Sequence, residues 1–162
     1  MKCQQNRPDP QPLWRSTGLQ YNTDKVRKIT SEIMLSLMRL EELGLLDKSL
    51  FLADPHKIGS AKYHLIVTIE GVVDLCNHII AKNGFRTPED YSDTIKVMEE
   101  HQAFGHEFTE TLIKMVRFRN RLVHIYWDID DNEIFRILNE HLPDIRRFLR
   151  EFGSYVGLIP GE

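Results

Sequence analysis

A long apolar segment with helix signals at both ends constrains the fold of this chain most strongly. Asp54-Pro55 combines an N-cap residue with proline at the first helical position, and Asn83-Gly84 is a common helix stop. Between Leu65 and Ile80 the segment is apolar on nearly every side. The sequence therefore predicts a long, largely apolar helix as the second member of a helical bundle.

Periodicity and capping signals predict four further helices. Thr23 or Asp24 is expected to cap the first helix, which Gly44 ends, and Thr87 is expected to begin the third in a capping box with Asp90. The fourth is predicted at about 106–124. The fifth is predicted from Asp130, with Glu133 as its capping-box partner, to about Phe152, with a kink or break at Pro143.

Almost nothing in the chain is typical of a β-strand, so the predicted fold is all-α. We expect an up-and-down bundle of four to five helices. The predicted organisation is an N-terminal tail or arm at 1–22, a helical domain at 23–155 and a C-terminal tail at 156–162.

Composition narrows the classes of function. The formal net charge of −3 argues against an electrostatic grip on nucleic acid by the whole protein, so RNA contacts would need a local basic patch. No apolar run approaches a membrane span of roughly 20 residues, and the N-terminal segment lacks the apolar core of a secretory signal. Cys3 and Cys76 are interpreted as reduced thiols. We expect a cytoplasmic protein without membrane contact, metal site or cofactor, since neither histidine nor cysteine shows metal-ligand spacing.

Three polar residues interrupt the apolar second helix at a spacing of four. Glu70, Asp74 and His78 fall on one face of that helix. One interpretation is an ordinary solvent-facing stripe. The other is a face that meets a partner chain or the basic segment around Arg119, because buried carboxylates need partners.

The fourth helix carries the segment RNRLVHIY at residues 119–126. Arg119 occupies the apolar stripe of this helix, whereas Arg117, Asn120, Arg121 and His124 share another face. Five residues of ideal helix place Arg119 and His124 about 140° apart around the axis. We therefore expect either unwinding near His124 or a twofold dimer in which a second subunit completes the site.

The residue types in this segment suit phosphodiester chemistry. Arginine grips phosphate oxygens in a bidentate fork, and histidine takes and returns protons near neutral pH. Together on one phosphodiester, such groups suffice for cleavage of RNA without a metal. Tyr126 is either a phenol packed in the core or a side chain that stacks on an RNA base. Trp127 could also stack on a base. For Trp127 we favour packing at the start of the last helix.

The pattern R-N-x-x-x-H-x-Y, preceded by the apolar helix AKYHLIVTIEGVVDLCNHIIAKNG, resembles the HEPN superfamily and most closely its HepT branch of prokaryotic toxins. The resemblance covers about residues 24–152. It implies a helical bundle that dimerises with its Arg–His segments facing each other and acts as a metal-independent endoribonuclease. It also implies a minimal nucleotidyltransferase antitoxin as partner, which transfers AMP to the tyrosine of the motif.

Transferred to this chain, the resemblance implies that Arg119 and His124 are catalytic, that Asn120 supports them and that Tyr126 is the AMPylation site. Arg117 and Arg121 are candidate RNA-binding residues. The expected product carries a 2′,3′-cyclic phosphate. The alternative function is a non-catalytic dimerisation or partner-binding module, whose surface would include Glu70 and Asp74.

Overall fold

The computed structural model describes residues 18–158, which form seven α-helices and one 3₁₀ turn, with no β-strand in this part of the chain. The helices are α1 (Thr23–Gly44), α2 (Lys48–Leu52), α3 (Pro55–Asn83), α4 (Tyr91–Glu100), α5 (His106–His124), α6 (Asp131–Glu140) and α7 (Leu142–Tyr155); the 3₁₀ turn is Tyr126–Asp128. The predicted all-α class is confirmed. Dimerisation stays a prediction.

The helix count exceeds the expected four to five for two reasons. The five-residue α2 is too short to show a helical period, and Phe51 is its one buried side chain. The predicted last helix is divided at His141, with Pro143 in the first turn of α7, where proline needs no backbone donor. The predicted break near Pro143 is therefore confirmed.

The helix α3 lies at the centre of the bundle. It packs against α1 along much of its length and also contacts α2, α4, α5 and α6. By length and composition α3 could span a membrane, but 56% of its most apolar stretch is buried inside the bundle. Gly71 allows the close approach of α1, because a Cβ there would lie 2.6 Å from Ile33.

The signals at both ends of α3 are confirmed. Asp54 accepts hydrogen bonds from the backbone N–H groups of His56 and Lys57, and Gly84 adopts the left-handed conformation at φ 65°. Two other predicted caps are wrong. Asn22, rather than Thr23 or Asp24, caps α1 by accepting from the backbone of Lys25.

The predicted cap of α4 is the second that is wrong. Asp90, and not Thr87, caps this helix by accepting a hydrogen bond from the backbone N–H of Asp93.

Packing also continues beyond the expected domain limits. Leu19 and Leu158 pack against the core, and the hydroxyl of Tyr21 donates to the carbonyl of Val156 at 3.0 Å. Most of the predicted tail, residues 1–17, lies outside the described residues, as do residues 159–162.

Candidate functional site

Arg119 is held against α3 and α4 rather than pointing freely into solvent. Its Nη2 forms an ion pair with Glu70, and its Nη1 donates to Oδ1 of Asn120 at 3.2 Å. The guanidinium carbon lies 5.0 Å from the ring centroid of Tyr91, and the side chain is only 16% exposed. Contacts with three residues thus fix the orientation of this arginine.

The acidic stripe is not uniformly solvent-facing: Glu70 is half-buried and His78 is buried, whereas Asp74 is exposed. Tyr91 donates from its hydroxyl to Oε1 of Glu70 at 3.0 Å, and this hydrogen bond raises the pKa of the phenol. Loss of solvation, reinforced by repulsion from Glu70, raises the pKa of the Asp74 carboxyl. His78 is buried and accepts a hydrogen bond from the backbone of Asn22 at 2.9 Å. Glu70 therefore contacts Arg119, as expected for a face that meets the basic segment. Contact of Glu70 and Asp74 with a partner chain stays a prediction.

His124 lies at the C-terminal end of α5 and is exposed. Regular helix stops there, because Ile125 has φ −133° and ψ 43° before the 3₁₀ turn begins. No hydrogen bond or ion pair joins Arg119 and His124 within these described residues. A single chain therefore does not bring the two predicted catalytic residues into direct contact.

Tyr126 rests on a buried lysine. The Lys62 ammonium lies 4.7 Å from the Tyr126 ring centroid and 3.0 Å from a carboxylate oxygen of Asp131. The lysine side chain is only 8% exposed, whereas Tyr126 is 43% exposed. The phenol is thus accessible on one side and supported by a cation on the other.

Two further side chains of the segment differ in their surroundings. Arg121 forms a two-pronged pair with Glu133, at 3.1 and 3.2 Å, which ties the end of α5 to α6. Glu133 is therefore not the predicted capping-box partner of Asp130. Trp127 is 84% exposed, so its predicted packing at the start of the last helix is wrong for the single chain.

Sequence reasoning missed Tyr91 and Lys62. Lys62 gave no clear signal, because it lies among polar residues before the apolar part of α3 begins at Leu65. Tyr91 gave no signal, since its contact with Arg119 depends on how α4 crosses α5. Among the described residues no group of three or more His, Cys, Asp or Glu side chains is arranged to hold a metal ion.

Comparisons with known sequences point to one family. A family model described as ribonuclease HepT-like matches residues 33–152. The mRNA nuclease HepT of Shewanella oneidensis is 25% identical over 80 residues, which make up 49% of this chain and 60% of that protein. The tRNA nuclease HepT of Aphanizomenon flos-aquae is 27% identical over 89 residues, which make up 54% of this chain and 59% of that protein. The chain thus aligns with about three fifths of the length of these relatives.

The fold agrees with these matches. The tri-AMPylated HEPN toxin of Shewanella oneidensis, in a structure with the MNT antitoxin, superimposes with a TM-score of 0.76 at 22% identity. The superposition covers 82% of this chain and 99% of that toxin chain. Since the family model spans most of the bundle, including α3, α5 and the Arg119–His124 segment, the chain belongs to the HepT-like ribonuclease family.

Proposed function

We propose that this protein is a metal-independent endoribonuclease of a toxin–antitoxin pair, active as a homodimer. One observation carries the proposal: Arg119 is fixed by Glu70 and Tyr91 on one side of α5, while His124 is exposed at the helix end. The two similar HepT proteins are named as an mRNA nuclease and a tRNA nuclease, which supports RNA as the substrate.

The dimer is supported by an exposed apolar segment next to the catalytic histidine. The exposed apolar residues of this segment are Val123, Ile125, Tyr126 and Trp127. Contiguous exposed apolar surface is typical of protein interfaces. A twofold contact along this segment would bring the two copies of the Arg–His pair to one cleft.

The reaction follows from the two side chains. The RNA 2′-oxygen attacks the adjacent phosphorus, and the bond from phosphorus to the 5′-oxygen breaks, leaving a 2′,3′-cyclic phosphate and a 5′-hydroxyl. His124 removes the proton of the 2′-hydroxyl or delivers one to the departing 5′-oxygen, so two copies could divide these roles. Arg119 stabilises the negative charge that develops on the phosphoryl oxygens. Contacts with Glu70, Asn120 and Tyr91 hold the guanidinium in place before RNA binds.

Tyr126 is the proposed site of AMPylation by a minimal nucleotidyltransferase antitoxin. The accessible phenol beside Lys62 supports this role, as does the AMPylated state of the similar Shewanella toxin. An attached AMP would place a bulky anion next to His124. It would therefore compete with RNA for the neighbouring arginines and block the cleft.

A purified-protein assay tests the nuclease proposal. Total RNA is incubated in EDTA with wild-type protein, Arg119→Ala, His124→Ala and the control His56→Ala, which changes an exposed histidine at the start of α3. Wild type and the control should cleave RNA equally, and the two motif variants should lose activity by about 100-fold or more. Equal cleavage by His124→Ala would contradict the proposed mechanism.

The alternative is a non-catalytic partner-binding module, which the same exposed apolar segment would also suit. Toxicity on expression separates the two readings. A nuclease should arrest growth, and His124→Ala, which changes an exposed side chain, should relieve the arrest without changing the amount of folded protein. A module that only binds should show no RNA cleavage and no difference between these two proteins.

A further inference from the structure

A groove of about 510 Å³ runs along α5 on a different face from Arg119. One wall is α5, the other wall is α6 with the start of α7, and α3 forms the floor of the groove. The apolar lining includes Leu65, Ile69, Met115, Phe118 and Ile137. A volume in this range suits a small organic ligand, and the apolar lining suits a flat, weakly polar body.

The rim of this groove is mainly basic. Lys114 and Arg117 line it from α5, both are exposed, and neither forms an ion pair with another of residues 18–158. Arg136 lines the opposite wall and pairs with Glu140 only at the exposed surface.

Two carboxylates also line the groove, and both have cationic or titratable neighbours. Glu133 is neutralised by Arg121, and Asp144 lies 3.4 Å from His141. The groove therefore combines surplus positive charge at its rim with an apolar floor. This combination is complementary to a ligand that has an anionic edge and an apolar body.

We propose that this groove is a subsite for one unpaired nucleotide of single-stranded RNA. The base lies on Phe118 and Ile137, and the flanking phosphates contact Lys114 and Arg117. Unpaired bases stack on aromatic side chains and arginine planes, and the Arg121 guanidinium already lies 5.7 Å from the ring centroid of Phe118. Glu133 and Asp144 offer acceptors for the amino groups of a base edge.

The position of the groove favours RNA over other anions, and this step rests on the proposed nuclease function. Arg117 and His124 are seven residues apart, so they share one face of α5 at about 10 Å along the axis. A strand that places one phosphodiester at His124 would pass along the rim of the groove. The subsite therefore extends the cleavage site and selects for an unpaired flanking nucleotide.

Binding measurements test the rim. The parent protein carries His124→Ala so that RNA is not cut, and the ligands are a fluorescent oligoadenylate octamer and a matching octamer without bases. Arg117→Gln should weaken binding of both ligands several-fold and lower the slope of log affinity against log salt by about 1. Arg27→Gln, an exposed arginine on α1 outside the groove, is the matched control and should leave both affinities unchanged.

A second experiment tests the floor of the groove by filling it with a larger side chain. Ile137→Trp should weaken binding of oligoadenylate about tenfold and leave the abasic octamer unaffected. If circular dichroism shows that Ile137→Trp does not fold, Met115→Gln replaces it as the test. This variant makes the floor of the groove polar and should weaken binding of oligoadenylate in the same selective way. Equal affinity of either folded variant and the parent for oligoadenylate would overturn the proposal.

Two further outcomes are distinguishable. If Ile137→Trp converts a dimer to a monomer in light scattering, the groove is a subunit contact and the subsite proposal fails. Normal RNA cleavage by wild type, with binding independent of the groove, would reject the subsite alone. Groove-dependent binding without any cleavage would reject the nuclease proposal alone.

Discussion

Arg119 on α5 and Glu70 on α3 form an ion pair that links the centre of the bundle to the proposed catalytic segment. The side chain of Arg119 is 16% exposed and that of Glu70 is 31% exposed, so solvent screens this pair less than an ordinary surface pair. The hydroxyl of Tyr91 satisfies the second carboxylate oxygen. Glu70 thus stabilises a charged side chain that would otherwise lie mostly buried without a partner.

Removing Glu70 should therefore destabilise the fold. We expect Glu70→Ala to lower the free energy of unfolding by about 2 kcal/mol, because a mostly buried guanidinium loses its charged acceptor. Urea denaturation measures the change. Glu42→Ala removes the exposed partner of Arg39 and should change the free energy by less than about 1 kcal/mol. Equal effects of the two substitutions would show that the Glu70 pair contributes no more than a surface pair.

Stability should fall as the pH is lowered below about 6.5, and His78 should contribute to this loss. Burial, followed by repulsion from Lys25 and Lys82, lowers the pKa of His78 from its ordinary 6.5. The unfolded chain then binds more protons than the folded one below pH 6.5, so unfolding becomes more favourable as the pH falls. The slope is limited to about 1.4 kcal/mol per pH unit for one proton.

Urea titrations at a series of pH values between neutral and mildly acidic measure this slope. His78→Gln can still accept from the backbone of Asn22 but does not titrate, so its slope should be smaller than that of wild type. Burial also lowers the pKa of His64, and part of the slope should therefore remain. An unchanged slope in His78→Gln would exclude a contribution from this residue.

Two glycines of α3 should respond oppositely to substitution by alanine. At Gly71 a Cβ would lie 2.6 and 2.9 Å from two side-chain carbons of Ile33, so Gly71→Ala should destabilise the protein by about 1–3 kcal/mol. At Gly59 the nearest group is the Tyr126 hydroxyl at 3.8 Å, so Gly59→Ala should stabilise α3 by up to about 1 kcal/mol. Thermal melts of the two variants provide the comparison, and a stabilising Gly71→Ala would contradict the tight packing of α1 on α3.

Cys76 should be chemically inert in the folded protein. It is fully buried, and burial raises the pKa of its thiol. In a Cys3→Ser background, which leaves a single thiol, an aromatic disulfide reagent should react only after guanidinium chloride unfolds the chain. Rapid reaction of the native variant would show that the core opens near Cys76.

The elements that were predictable from the sequence are those specified by local chemistry. A cap with a following proline and a glycine stop define α3, because these residues act on the backbone next to them. The observed cap of α1 lies one or two residues before the predicted ones, because three consecutive polar residues can all serve and only Asn22 accepts from the free N–H of Lys25. The observed cap of α4 lies three residues after the predicted one, because Asp90 itself accepts from the first turn of the helix.

The site was less predictable because its contacts are tertiary. A pairing of Arg119 with the acidic face of α3 could be anticipated, as both are charges in apolar stripes. The stacking of Tyr91 on Arg119 and the capture of Glu133 by Arg121 could not, because they depend on helix crossings that leave no periodic signal. The exposure of Trp127 likewise follows from the 3₁₀ turn, which directs this side chain away from the bundle.

The central helix also sets a spacing along the proposed cleft. Glu70 orients Arg119, and Lys62 supports Tyr126 from a position eight residues earlier in α3. In a continuous helix these two supports are about 12 Å apart along the axis. A proline introduced between them would bend α3 and shift the arginine relative to the phenol, so the geometry of the proposed strand scission and of its proposed silencing by nucleotide attachment would change together.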